Sequence, residues 1–225
     1  LTARLNEVFD HVKAIRQTLG AGRVIDVGTD HGQLAVRCLK EQTATSVICT
    51  DINEGPLERC RENLEKNNLQ TKAQTKLTDG LDGIDLHPKD IVVIAGLGGL
   101  NSVDILKKAT ERTSQQILEQ IAFVLQPQKS TEELRQFLYK SGMELTDETA
   151  VFDRGFYYVV MSAKFTGKTR DLSIPEQYIG PLLTEHQNNP KYTDYFDFLK
   201  RVLSKRARSD KNADEALKEL SNNID

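Results

Sequence analysis

Three short apolar runs, each stopping at a glycine or an aspartate, constrain this chain more than anything else in it: RVIDVG at 23–28, SVICTD at 46–51 and DIVVIAGLGG at 90–99. Runs this short and rich in β-branched residues, with no polar alternation, suit strands buried on both faces of a parallel sheet. The segments between them carry helical spacing. LTARLNEVFDHVKAI sets Leu1, Leu5, Val8, Phe9, Val12 and Ile15 on one stripe, and Gly20 and Gly22 end it. A helix is expected over 32–40, and another begins at Pro56, a residue suited to a first helical turn, and stops at Asn67 and Asn68. The third strand falls near AQTKLTD, with DGL at its end.

After the glycine-ended run the pattern predicts helices near 101–109 and 113–120 and a strand at AFVLQ. Ser130 is read as the cap of STEELRQFLYKSG, with Glu133 completing a capping box and Gly142 as the stop. Strands alternating with helices imply an α/β fold, a parallel sheet covered on both sides. MELTDETAVFD and GFYYVVMSAKF break the alternation. Only Arg154-Gly155 separates them, too little for a crossover, so they are expected to form an antiparallel hairpin at the sheet edge.

From about Thr169 the character changes to helix: IPEQYIGPLLTEHQNNP, then KYTDYFDFLKRVLSKRARSDKNADEALKELSNNI, with Tyr192, Tyr195, Phe196, Leu199, Val202 and Leu203 on one stripe. The expected division is a domain over 1–168 and a small helical extension over 169–225.

A formal charge of −3 and a pI near 5.9 argue against a surface built throughout for nucleic acid, so any polyanion partner must sit on a local patch. Cys38, Cys49 and Cys60 share no CxxC spacing and read as reduced thiols, which suits the cytoplasm. No apolar run approaches the roughly 18 residues a membrane span needs, and the N-terminal residues lack the order of a secretion signal. Four scattered histidines give no metal-ligand spacing, and no metal is expected. Nothing in the sequence demands more than a monomer.

Ligands of open parallel sheets sit beyond the carboxyl ends of the strands, where strand order reverses. That rule selects DVGTDHG, TDIN, TDGL, AGLGGL and LQPQ. The first loop departs from the dinucleotide fingerprint, because Asp30 and His31 stand where a pyrophosphate would approach the backbone. A carboxylate there repels phosphate but tolerates the cationic end of S-adenosylmethionine. Asp26 either fixes the loop alone or also accepts, through water, from the methionine amino group. His31 either packs the loop or lines the cofactor. Asp51 ends the second strand at a spacing suited to ribose hydroxyls, a feature shared by NAD and S-adenosylmethionine enzymes. Asp79 either accepts from an adenine amino group or is a solvated turn residue. The edge hairpin favours a methyltransferase over an NAD-dependent oxidoreductase.

The motifs RL at 4–5, DVGTDHGQL at 26–34, DINEGPL at 51–57, DGL at 79–81, IAGLGG at 94–99, LQP at 125–127, LR at 134–135 and NPKY at 189–192 occur in one order along the whole chain. In order and spacing the chain resembles the bacterial TrmK family of tRNA (adenine-22-N1) methyltransferases. The resemblance implies a Rossmann-like class I methyltransferase sheet, a coiled-coil-like helical C-terminus, S-adenosylmethionine as methyl donor and a tRNA adenine as acceptor. It places Asp26, Gly28, Asp30, His31, Asp51 with Ile52, Asp79 with Gly80, and Gly96 and Gly98 around the cofactor. Gly96, Gly98, Gly99, Gln126 and Pro127 would face the methyl group and target base, and Asp30, Gln126, Pro127 and Gln128 would form the catalytic set. Three departures stand out: Leu97 for the family's Met, Gln128 for its Asn, and Gly32-Gln33-Leu34-Ala35 for Ala-Tyr-Leu-Pro.

Attack by adenine N1 on a methyl sulfonium needs alignment and desolvation more than a strong base, so no triad is required. Asp30 can stabilise the charge that develops on the base. For RNA, the richest basic run is Lys200, Arg201, Lys205, Arg206, Arg208 and Lys211, joined in this reading by Arg4; its alternative is a merely solvated helix face. The competing function is a cofactor-binding protein of the same fold with another acceptor or no turnover.

Overall fold

In the computed structural model, which describes residues 1–222, seven strands form one sheet in the order β3-β2-β1-β4-β5-β7-β6. The strands β1 (Val24–Val27), β2 (Val47–Asp51), β3 (Ala73–Leu77), β4 (Ile91–Leu97) and β5 (Ala122–Pro127) run parallel. β6 (Met143–Asp153) and β7 (Phe156–Phe165) form the expected hairpin, and β7 pairs antiparallel with both β5 and β6. Strand order reverses between β1 and β4, which puts the ligand crevice at their carboxyl ends.

Both faces of the sheet are covered, which is why its strands read as unbroken apolar runs. Val24, Val47, Cys49, Ile91 and Val93 meet α1 (Ala3–Leu19), α2 (Gln33–Lys40) and α3 (Glu54–Lys66). Ile25, Ile48, Val92, Ile94 and Phe123 meet α4 (Gly99–Arg112), α5 (Gln115–Leu118) and α6 (Thr131–Lys140). Each such side chain, fully buried, contributes roughly 1.5–3 kcal/mol of transfer free energy. α1 starts where the Thr2 hydroxyl accepts the Leu5 N–H at 3.2 Å and stops at Gly20, φ +80°. His11 docks it on the hairpin: its Nδ1 lies 2.7 Å from the Ser162 hydroxyl and its Nε2 2.9 Å from that of Thr149. Burial holds the His11 pKa below the ordinary value despite Asp147 and Glu7 nearby.

Several boundaries differ from the sequence reading. α3 begins two residues before Pro56, because the first-turn amides make no intrahelical hydrogen bond and a proline there breaks none. α4 reaches back to Gly99 and on to Arg112, and α5 is a single turn. Ser130 makes no capping box. It sits in the left-handed region at φ +58°, with its carbonyl pressed against Gly99, so its hydroxyl cannot reach the first turn of α6. The capping box in this chain is Ser173–Glu176, at the start of α7 (Ile174–Tyr178).

The C-terminal region is less continuously helical than its sequence suggests. After α7 the chain turns at Gly180, φ +111°, where a Cβ would stand 2.4 Å from Glu148 Oε2. Only 3-10 turns follow, at Leu183–His186 and Pro190–Tyr192, before α8 (Thr193–Arg206) and α9 (Lys211–Asn222) form a short helical hairpin. The sequence-based span 169–225 ends at 223–225, which lie outside the described residues. Tyr195, Phe196, Leu203, Ala213, Ala216 and Leu220 join the core of the α4–α6 face of the sheet. The buried Arg135–Glu148 pair ties the region down: Arg135 Nε donates to Glu148 at 2.7 Å, Nη1 donates to the Gln177 carbonyl at 2.7 Å, and Glu148 accepts the Leu183 N–H at 3.3 Å.

Candidate active site

Two clefts open over the carboxyl ends of β1, β2 and β4 and meet at Gly28. Gly28 has φ +72°, and a Cβ there would touch Leu97 at 3.4 Å, so the chain passes close to whatever lies between the clefts. The first cleft, about 710 Å³, contains Asp51, Ile52, Asp79, Gly80, Leu97 and Ile105. One Asp51 oxygen accepts the Asn53 N–H at 2.8 Å, which aims the carboxylate across the strand end. Ile52 is 68% exposed, an apolar side chain held open at the rim. Asp79 forms an ion pair with Lys108 of α4 at 3.3 Å, so its carboxylate is already partnered by a cation that the sequence does not signal.

The second cleft, about 380 Å³, gathers Arg4, Asp26, Asp30, His31, Gln126 and Arg154, with Gly96 on its wall. Asp26 is buried and accepts the Thr29 hydroxyl at 2.6 Å; burial pushes its carboxyl pKa up to about 6, with the Thr29 bond opposing. Asp30 is exposed, at φ +47°, and pairs with Arg59 at 3.1 Å and His31 at 3.6 Å. Arg4, read from sequence as RNA-binding, lies here, its guanidinium 5.1 Å from the Tyr158 ring centre. Arg154 is legible in sequence only as a turn residue; the hairpin register carries it over the first loop.

Gln126 behaves differently from its expected role. Its Oε1 accepts the Gly96 N–H at 3.1 Å and its Nε2 donates to the Pro127 carbonyl at 2.8 Å. The buried amide is consumed in shaping the loop, at the point where Gly96 takes φ +83° and the β4–β5 register shifts. Gln126 therefore positions Gly96, and both heteroatoms of its amide already have a partner within the loop. Pro127 is buried in the strand end, while Gln128 is exposed and lines a separate groove with Lys129, Tyr157 and Phe198. Its amide nitrogen stands 3.9 Å from where a Cβ of Gly96 would be, so it borders the bend from the outside. Gly98 and Gly99 line neither cleft. Gly99 lets the Ser130 carbonyl approach to 2.0 Å from its absent Cβ position, which only glycine permits.

Of the basic tail, Arg201, Lys205 and Arg208 are exposed and Lys200 is half-buried, all outside both clefts. Arg206 is committed internally: it pairs with Glu132 and with Asp210 at 3.2 Å and lies over the Tyr178 ring at 4.9 Å. These contacts hold α8 to α6. Among the described residues no group of three or more His, Cys, Asp or Glu side chains could hold a metal ion, and no helix is long and apolar enough to cross a membrane.

S-adenosylmethionine fits this donor set. A carboxylate at the end of β2 suits a ribose diol, and Ile52, Leu97 and Ile105 suit the faces of an adenine ring. Carboxylates and guanidinium groups together in the second cleft suit the ammonium and carboxylate of an amino acid. A pyrophosphate would instead meet Asp26 and Asp30.

Residues 1–161 match the methyltransferase-domain family. A Mycoplasma pneumoniae protein, provisionally named a tRNA methyltransferase, is 30% identical over 80% of this chain and 82% of its own length. The tRNA (adenine(22)-N(1))-methyltransferase of Bacillus subtilis is 26% identical over 100% of this chain and 94% of its own. Among solved structures, a Streptococcus pneumoniae protein provisionally named a tRNA (m1A22) methyltransferase superposes with a TM-score of 0.80 at 20% identity, covering 99% of this chain and 98% of that one.

Proposed function

The chain belongs to the methyltransferase-domain family, among the TrmK tRNA methyltransferases, and from that premise we propose that it moves a methyl group from S-adenosylmethionine to N1 of adenine 22 in tRNA. The observation that carries this reading is the junction at Gly28, where an adenosine-sized cleft with a strand-end carboxylate meets a polar cleft roofed by Gly96. When bound, the cofactor supplies an electrophilic methyl on sulfonium. The work left to this chain is to orient both partners and exclude water.

In this mechanism Asp51 and Asp79 hold the adenosine end, while Asp26 and Arg4 hold the amino-acid end. Gly28 and Gly96, lacking side chains, leave the line between donor and acceptor open. Gln126 fixes Gly96, and Gln128, at the outer edge of the bend, borders the entering base. Adenine N1 attacks with its own lone pair, so no general base is needed. The product ring is cationic, and Asp30 lies near enough to stabilise it, tempered by its pairs with Arg59 and His31. Exposed cations on α8 and in the turn after it hold tRNA phosphates. Three free thiols together with a tRNA substrate support a cytoplasmic location.

Transfer of labelled methyl to unmodified tRNA, followed by nucleoside analysis, tests the reading. 1-Methyladenosine is expected, and it should vanish when adenine 22 is replaced. Cofactor binding without transfer to any tRNA would overturn it in favour of a binding protein of the same fold.

A further inference from the structure

The tip of the β6–β7 hairpin is not explained by the sheet it extends. Phe152 precedes the two-residue turn Arg154-Gly155 with one residue, Asp153, between, Phe156 directly follows it, and the two rings are 55% and 59% exposed. Exposed single phenylalanines are ordinary. Two of them at one tip are less so when the turn between them reaches the catalytic cleft, as it does through Arg154. Successive residues of a strand face opposite sides, so Phe156 shares a face with Tyr158, on which Arg4 rests, whereas Phe152 shares a face with its cross-strand partner Tyr157.

Phe152 begins a row of rings. Its centre is 5.0 Å from that of Tyr157, and Tyr157 lies 5.4 Å from Phe198 of α8. Tyr157 and Phe198 line the groove that also holds Gln128, and exposed Arg201 follows one helical turn after Phe198 in α8. The hairpin tip therefore presents a ring on each of its two faces: Phe156 on the face of Tyr158 and of Arg4, which lines the catalytic cleft, and Phe152 on the face of the row that leads to the cationic helix.

Resting on the proposed tRNA reading, we infer that this tip is a stacking platform for the nucleotides that flank the target adenine. An enzyme that alkylates N1 must take the adenine out of its stack, because N1 lies on the Watson–Crick edge. That exposes the faces of neighbouring bases. Aromatic side chains can cover them without regard to sequence, and cations alongside hold the intervening phosphates. Phe156 and Phe152 cover the bases, Arg154 meets a phosphate at the mouth of the cleft, and the partner is single-stranded or unstacked RNA.

The test is a Phe152→Ala/Phe156→Ala protein compared with the unaltered chain and with Phe152→Trp/Phe156→Trp. The read-outs are kcat/KM on unmodified tRNA, affinity for S-adenosylhomocysteine, melting temperature, and fluorescence of 2-aminopurine placed beside nucleotide 22. Loss of stacking lowers kcat/KM by about tenfold or more, leaves cofactor-product affinity and melting unchanged, and removes the protein-dependent change in 2-aminopurine emission; the Trp pair restores activity. Unaltered kcat/KM in the alanine protein, with the unaltered chain active, overturns the platform alone. An unaltered chain that binds S-adenosylhomocysteine but neither binds nor methylates tRNA overturns the functional reading and the platform with it.

Discussion

Gln126 turns its amide back into the protein, where its Oε1 accepts the Gly96 N–H at 3.1 Å and fixes the bend at the end of β4. The residue most easily taken for a base-binding group is thus a brace beneath one. Gln126→Ala removes the side-chain partner of that N–H and loosens the bend. Misplacement of reacting atoms by about 1 Å can cost on the order of a hundredfold. We expect kcat for tRNA methylation to fall about ten- to a hundredfold while affinity for S-adenosylhomocysteine stays within about threefold. Steady-state kinetics beside calorimetric titration separate the two.

Asp26 is expected to make cofactor affinity depend on pH. Its pKa is raised from 3.8 to about 6 by burial, so the folded protein holds a proton there that the unfolded chain releases. The sign follows: this group favours the fold at low pH, and that contribution is lost as pH rises through about 6, by at most about 3 kcal/mol. An ammonium group placed beside the carboxylate reverses the preference by stabilising the ionised form. Affinity for S-adenosylhomocysteine is therefore expected to strengthen between pH 5 and pH 7 (roughly the span of this titration), and Asp26→Asn is expected to weaken binding and flatten the profile. A flat profile in the unaltered protein would remove Asp26 from the ammonium site.

The Arg135–Glu148 pair controls the attachment of the C-terminal helices. Both side chains are buried, and together they reach the Gln177 carbonyl and the Leu183 N–H. Glu148→Ala strands a buried guanidinium, a change that costs about 3–5 kcal/mol. Denaturant unfolding of Glu148→Ala measures that loss, and the double substitution Arg135→Met/Glu148→Leu is expected to recover part of it because neither charge is then buried.

Basic residues of the tail divide into two groups. Arg201→Ala, Lys205→Ala and Arg208→Ala together are expected to weaken tRNA binding and to reduce the slope of log affinity against log salt by about 0.7–0.9 for each phosphate that is no longer neutralised. Arg206→Ala is expected to lower the melting temperature instead, since it holds Glu132, Asp210 and the Tyr178 ring. Point substitutions are needed because deleting residues from 170 onward would take Tyr195, Phe196 and Leu203 out of the shared core and uncover Leu134, Leu138 and Leu145, which belong to the same cluster.

The layered sheet, the place of its ligand and the family are all written in the order of residues along the chain. Short apolar runs, glycine stops and the two-residue hairpin turn are local signals, read within a few residues of the structure they specify. Asp26, Gly28 and Asp51 are legible for the same reason, since each ends a strand whose end is visible in sequence. Folding in three dimensions settled what depends on distant neighbours. It turned Gln126 inward to Gly96, paired Lys108 with Asp79, brought Arg154 over the first loop and spent Arg206 on α6. It also broke the helical pattern after α7, because Gly180 must pass Glu148 at a distance no Cβ allows. A side chain's neighbours along the chain set its local conformation, but its hydrogen-bond partners are chosen by the packing of segments far apart in sequence.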